Sequence, residues 1–234
     1  MTMITVVKPT FSILSSLEGL PELIERAGRV CYKSEDRLTP TSAAQFVRTV
    51  RRNGHLSVLE HASISVLILG DRSMSHQLVR HRIGAFSQES QRFCNYGRKG
   101  FQVICPPSIG VPEGEYSLDT FGNLNLKNIG TLFSLSLAQR RWLQHRCEDC
   151  LEYINLLDEG ILPEDARSCL PNATKTEIVA TFNLRQWRHV FAERALNRHA
   201  QWQIKDITRG ILREFAGRLP CVFEDQLETL NATN

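Results

Sequence analysis

Arg80, His81 and Arg82 stand side by side, and a polar run follows them: Ser87-Gln88-Glu89-Ser90-Gln91-Arg92. Two guanidinium groups and an imidazole in succession repel one another unless an anion sits among them. The planar arginine fork matches phosphate or carboxylate. The polar run supplies hydroxyl, amide, carboxylate and guanidinium groups with no buried apolar pattern, a set able to read a base or sugar. The plainer alternative is a solvated helix end, where cations favour the C-terminal dipole. From Asp71 to Lys99 the bases are Arg72, Arg80, Arg82, Arg92, Arg98 and Lys99, against only Asp71 and Glu89. A second concentration, Arg185, Arg188, Arg194 and Arg198, lies near Asn183 and His189, and Arg167 stands apart. No GxGxxG or Walker loop is present, so a nucleotide would not be held by a glycine cradle.

The elements that must position these groups can be read from periodicity. Ile4 to Val7 predicts a short strand, Glu22–Cys31 and Thr41–Arg52 predict helices, and Ala62–Leu69 predicts a strand with Ile64, Val66 and Ile68 on one face. Asp71 is placed to cap a helix running to about His81. Residues 84–100 read as a strand edge or ordered loop, Phe101–Cys105 as a strand, and 108–122 as a surface loop. A long helix is expected over 128–158, ended by Gly160, and a short one from Pro163 to Arg167. Thr174–Phe182 alternates strictly, as a half-buried strand does, with Asn183 at its exit. Two helices, about 185–197 and 200–217, and a short tail complete an α+β reading. It is a single domain, residues 1–234, with a mixed, largely antiparallel sheet flanked by helices.

Composition bounds the rest. The chain has 234 residues, 42% hydrophobic and 23% charged, with a formal net charge of +3. Those values exclude a disordered or collagen-like chain, and no apolar stretch approaches the roughly 20 residues of a membrane helix. The net charge is too small to indicate nucleic-acid binding, but the 28 bases comprise 22 Arg and 6 Lys. The seven cysteines, an odd and scattered number, predict reduced thiols and a cytoplasmic protein. In Cys147-Glu-Asp-Cys150 both thiols fall on the apolar stripe of the long helix, so core packing is expected there and not metal binding.

With these residues in view, Arg80-His81-Arg82, seven residues and then Ser90 resemble the RHR-x7-S signature of flavin-dependent thymidylate synthases. Ala27-Gly28-Arg29-Val30-Cys31-Tyr32 resembles that family's N-terminal helix, Gly54-His55-Leu-Ser57-Val-Leu-Glu60-His61 its GHxSxxEH segment, and Ala200-Gln201-Trp202-Gln203-Ile204 its AQWEI. The resemblance implies conversion of dUMP to dTMP, with methylenetetrahydrofolate as carbon donor, NADPH as reductant and FAD as hydride carrier. It implies a homotetramer with active sites at subunit interfaces, and no membrane or nucleic-acid partner. By motif position, His55, Ser57, Arg80, His81, Arg82, Gln88, Asn183, Arg185 and His189 match flavin contacts. Gln77, Arg80, Gln88, Glu89, Ser90, Gln91, Arg92 and Arg167 match the dUMP site, and Arg194 the arginine that faces the uracil ring. The chain departs from the family in Gln88 where Glu is common, in Phe93 for Tyr, and in Gln203 for Glu. The step from Arg194 to Ala200 is also a residue longer than in some members, which makes Arg198 the alternative to Arg194.

Two other readings compete. Cys94, the one thiol beside the motif, would be a nucleophile if electropositive surroundings favoured its thiolate. A nucleotide- or RNA-binding protein without catalysis would use the 72–99 patch, with Phe86, Phe93 and Tyr96 as stacking platforms.

Overall fold

The computed structural model describes residues 3–125 and 135–233. Its fold is α+β, with two small, largely antiparallel sheets flanked by helices. The described residues gather into two compact units. Of those residues, the first takes the ones within 3–9, 69–75 and 88–177, and the second those within 10–68, 76–87 and 178–233.

In the first unit, strand β1 (Met3–Val6) is the centre of a three-stranded sheet. It runs parallel to β5 (Phe101–Val103) and antiparallel to β6 (Gly114–Ser117). Ile4 pairs with both Phe101 and Tyr116, and all three side chains are buried. The expected loop 108–122 therefore contains a strand. Gly-Glu-Tyr-Ser has little strand character of its own and is held by pairing with β1. The long helix spans Leu137–Asp158 and starts later than expected, although 126–134 lie outside the described residues. Its start is set by a capping box: Ser136 Oγ accepts from the Gln139 amide at 3.2 Å, and Gln139 Oε1 accepts from the Ser136 amide at 2.7 Å. Leu143, Cys147, Cys150 and Tyr153 turn into the core on one stripe. Burial pushes both thiols up to about 12, so they remain protonated packing groups. Gly160, at φ +87°, takes the left-handed turn that closes the helix.

A four-stranded sheet, most of whose residues belong to the second unit, follows the order β2 (Thr10–Ile13), β3 (Ser63–Asp71), β7 (Lys175–Asn183), β4 (Ala85–Gln88). Alternation holds as expected: Ile64, Val66, Ile68, Ile178, Ala180 and Phe182 are at most 1% exposed. The helix after Asp71 covers Arg72–Leu78 and stops short of His81. The helix Leu184–Val190 gives way to a π-helix over Phe191–Leu196, and Trp202–Arg218 forms the next helix. The expected tail is a helix as well, Pro220–Ala232. Proline begins it, at a position needing no amide donor, and Val222, Phe223 and Leu230 are fully buried.

That last helix also explains Arg188. Asp225 accepts from Arg188 Nη1 at 2.8 Å and Nη2 at 2.7 Å and from Arg51 Nη1 at 3.0 Å, while Glu224 takes Arg48 and Arg51. Partial burial works to raise both carboxyls, but the hydrogen bonds and charges of these arginines outweigh it and hold both below their ordinary values. The folded state therefore binds fewer protons than the unfolded chain in acid. This stability is present above the ordinary values, 3.8 for Asp225 and 4.5 for Glu224, and is lost as pH falls through and below them. Asp225→Asn is expected to cost about 2 kcal/mol at pH 7, discounted for partial exposure, and less at pH 3. Urea unfolding at the two pH values measures it.

Candidate functional site

Each unit carries its own part of the predicted residues. In the second unit, the chain leaves the helix Arg72–Leu78 by a tight turn in which the His81 amide donates to the Leu78 carbonyl at 3.1 Å. Arg80 and Arg82 are exposed and pair with no carboxylate among the described residues, whereas His81 between them is only 7% exposed. His81 faces inward against the ring edges of Phe182 and His189, at centroid distances of 6.4 and 5.6 Å.

Arg194 reaches the same spot from the π-helix. Its Nε donates to His81 Nε2 at 3.0 Å, and its Nη2 donates to the Gln77 carbonyl at 3.4 Å. The π-helix is braced by Arg209, whose Nε donates to the Ala195 carbonyl at 3.0 Å. Arg198, the alternative to Arg194, is exposed and contacts His199 Nε2 at 3.0 Å. Desolvation first, then the Arg194 charge and His189, lower His81 from 6.5 to about 4, so it is neutral at pH 7.

Asn183 caps the next helix, its side chain accepting from the Gln186 amide at 2.8 Å. Arg185 and His189, four residues apart, share that helix's exposed face. Arg185 Nη1 also pairs with Glu60 at 2.6 Å, an exposed pair of little strength that an incoming anion can displace.

Arg185 helps line a cavity of about 420 Å³ with His55, Ser57, Tyr32, Phe46, Val50, Leu56 and Val58. Gly28 forms part of the wall, and a Cβ there would clash with the Phe46 ring. Apolar walls with two hydroxyls, those of Ser57 and Tyr32, one imidazole and one guanidinium form a donor set suited to an aromatic ring system bearing a phosphate. The flavin group fits these residues.

In the first unit, the Gln88 amide nitrogen donates to Ser75 Oγ at 3.0 Å and Thr176 Oγ1 at 3.1 Å. Glu89 is engaged otherwise, accepting from Lys175 Nζ and the Glu177 amide, both at 3.2 Å. Ser90 Oγ accepts from the Arg92 amide at 3.3 Å. Arg92 Nε pairs with Glu164 at 2.9 Å, Arg167 Nε donates to the Glu164 carbonyl at 2.9 Å, and a surface cavity runs along Gln91, Glu164, Asp165, Arg167 and Ser168. Arg92, Arg167 and Gln91 are thus brought together.

Cys94 lines a different cavity, where two carboxylates, Glu89 and Glu177, outnumber the one cation, Lys175, so the electropositive surroundings expected are not found there. Of the three stacking platforms, Tyr96 is in the core and Phe86 meets the Phe182 ring edge-on, leaving Phe93 exposed. That removes the geometry the RNA-binding reading needs.

Sequence reasoning missed Glu60 and Glu164 as partners of Arg185 and Arg92, because both pairs span long stretches of chain. It also missed the π-helix over Phe191–Leu196.

A family model described as thymidylate synthase complementing protein matches residues 12–221. A flavin-dependent thymidylate synthase of Mycobacterium sp. (strain JLS) is 38% identical over 211 residues, covering 89% of this chain and 80% of its own. One from Geobacter sulfurreducens is 34% identical over 207 residues, covering 85% and 78%. The solved structure of the UMP/dUMP methylase PolB from Streptomyces cacaoi, bound with 5-Br dUMP, shares the fold. Its TM-score is 0.69 at 24% identity, and the match covers 94% of this chain and 95% of that one. The chain therefore belongs to the thymidylate synthase complementing protein family, the flavin-dependent thymidylate synthases.

Proposed function

We propose that the chain is a flavin-dependent thymidylate synthase that methylates dUMP to dTMP, using methylenetetrahydrofolate as carbon donor and NADPH as reductant. The carrying observation is Arg194, a permanent cation held at two points beside Arg80-His81-Arg82. FAD, when bound, supplies the two-electron redox chemistry that links NADPH to the pyrimidine. Every other part is binding and polarisation by this chain. His55, Ser57, Asn183, Arg185 and His189 hold the flavin, with Arg80 and Arg82 as exposed cations for its diphosphate. Arg92 and Arg167 bind the dUMP phosphate as forks, with Glu164 released from Arg92 on binding. Gln88, Gln91 and Ser90 contact the nucleotide through neutral groups, and Gln77 and Arg80 also serve its binding. Glu89, engaged by Lys175, anchors the segment. Arg194 faces the uracil ring and stabilises negative charge as it develops there.

We infer a homotetramer with sites at subunit interfaces and a cytoplasmic location. Among the described residues no helix is long and apolar enough to cross a membrane. The test is reconstitution of the purified chain. It is expected to take up FAD and to form dTMP from dUMP when methylenetetrahydrofolate and NADPH are both present. Cys94→Ala is expected to stay active. A chain that remains colourless on FAD titration overturns the reading, and an inactive Cys94→Ala variant replaces it with thiol catalysis.

A further inference from the structure

The RHR motif implies that all three of its side chains touch the flavin, yet the structure separates the middle one from its neighbours. Arg80 and Arg82 are exposed, while His81 is 7% exposed and its Nε2 lies 3.0 Å from Arg194 Nε. The chemistry of this contact is determinate. Arginine keeps its Nε proton at any physiological pH, so Nε donates. His81 Nε2 must then be a bare acceptor, and the imidazole proton sits on Nδ1. An imidazolium would set one N–H against another.

The surroundings agree on every side. The π-helix presents the Arg194 cation, and the helix Leu184–Val190 presents the His189 imidazole edge-on at 5.6 Å. Strand β7 presents the uncharged ring of Phe182. On its own segment, the flanking charges are Arg80 and Arg82, both cationic. All the charges that face His81 disfavour its protonated form. The second hold on Arg194 is the Gln77 carbonyl, four residues before His81, so both restraints come from one short stretch of chain.

We propose that His81 is a positioning residue that fixes Arg194 through the Nε2 lone pair. With Nε and one N–H of Nη2 engaged, the Nη1–Nη2 edge of the guanidinium is left to donate to an anion. The motif thus divides its labour: its two arginines face outward to bind phosphate, and its histidine reaches inward to orient a guanidinium 113 residues away in sequence. This inference rests on the catalytic reading of Arg194 given above, but its geometry is testable without turnover.

Nitrogen-15 NMR of the wild-type FAD-bound protein, labelled at histidine and assigned with a His81→Gln variant, reads the tautomer. At pH 7 the expected signature is protonated Nδ1 and unprotonated Nε2, the less common form in free histidine. In Arg194→Leu, where no donor reaches the ring, the tautomer is expected to shift towards Nε2–H and the His81 pKa to rise. A protonated Nε2 in the wild type, or a tautomer indifferent to Arg194→Leu, overturns the proposal.

Turnover gives the second readout. His81→Leu is expected to retain FAD while kcat falls about 10- to 100-fold, as expected for losing one hydrogen bond to a charged group, with the dUMP KM little changed. His81→Gln, whose amide oxygen offers a neutral acceptor at similar reach, is expected to recover most of that loss. Loss of FAD from His81→Leu without recovery in His81→Gln would make His81 a flavin contact and overturn the proposal. If the wild type forms no dTMP, the catalytic reading fails, and the NMR result still decides whether His81 orients Arg194. If His81→Leu does not fold, the wild-type tautomer and Arg194→Leu decide alone.

Discussion

Arg194→Ala is expected to reduce dTMP formation by about 100- to 1,000-fold while FAD uptake persists, the loss typical of removing one preorganised donor aimed at developing charge. The expectation follows from how the side chain is held. A guanidinium free in solvent reorganises together with its water. This one is fixed at Nε by His81 and at Nη2 by the Gln77 carbonyl, on a π turn braced by Arg209. Its orientation is set before substrate arrives, so little reorganisation accompanies the reaction. Arg194→Lys keeps the charge but has no Nε donor and no planar fork, and an intermediate loss is expected. Arg198→Ala is the control. That side chain is exposed, and its hydrogen bond among the described residues is to its neighbour His199, so turnover is expected to stay within about twofold, as for an ordinary surface substitution. Single-turnover dTMP formation, with flavin absorbance recorded on each variant, measures both properties. Unchanged turnover in Arg194→Ala with loss in Arg198→Ala would transfer the role to Arg198.

The features legible in the sequence are those whose cause is local. Ile178, Ala180 and Phe182 alternate because one face of a strand is buried, and that pattern needs no knowledge of the partner. Cys147 and Cys150 were readable as core because three- and four-residue spacing places them on a helical stripe. Strand β6 was not readable, since Gly-Glu-Tyr-Ser becomes a strand only by pairing with Met3–Val6 more than a hundred residues earlier. The helix Pro220–Ala232 has Val222, Phe223 and Leu230 on one face, but so short an apolar stripe at the end of the sequence reads equally as a tail. At the candidate site the residue types were visible and their partners were not. Arg185 and Arg92 read as anion binders and Arg188 carried no assigned ligand, yet each has a carboxylate partner, 125, 72 and 37 residues distant in turn. Pairing at such distance depends on tertiary contact. The inward turn of His81 is of the same kind, because nothing in Arg-His-Arg distinguishes an exposed imidazole from a buried one.

Trp187→Ala is expected to destabilise the chain by about 4 kcal/mol, a large part of the 5–15 kcal/mol that holds a typical domain folded. Trp187 is fully buried. Its ring stacks on Phe191 at 5.6 Å and meets Phe182 and Phe215 edge-on at 4.9 and 5.3 Å. Its indole N–H donates to the Ile64 carbonyl at 3.0 Å. Truncation therefore leaves a cavity among three aromatic rings and removes the partner of a buried carbonyl, two costs that add. Trp187→Phe refills most of the cavity without restoring the donor, and about 1–2 kcal/mol is expected to remain lost. Urea unfolding of the FAD-free chain separates the two variants; bound FAD would add its own stabilisation and hide part of the difference. The consequence for function follows from the helix. Trp187 lies two residues from both Arg185 and His189, so the face it anchors in the core is opposite the face that carries them. It also packs on Phe191, the first residue of the π turn that carries Arg194. Loosening this one ring should weaken FAD binding and turnover together, at temperatures where the chain is still folded. A variant that lost stability yet kept wild-type FAD affinity and turnover would show that the exposed face is held by contacts other than Trp187.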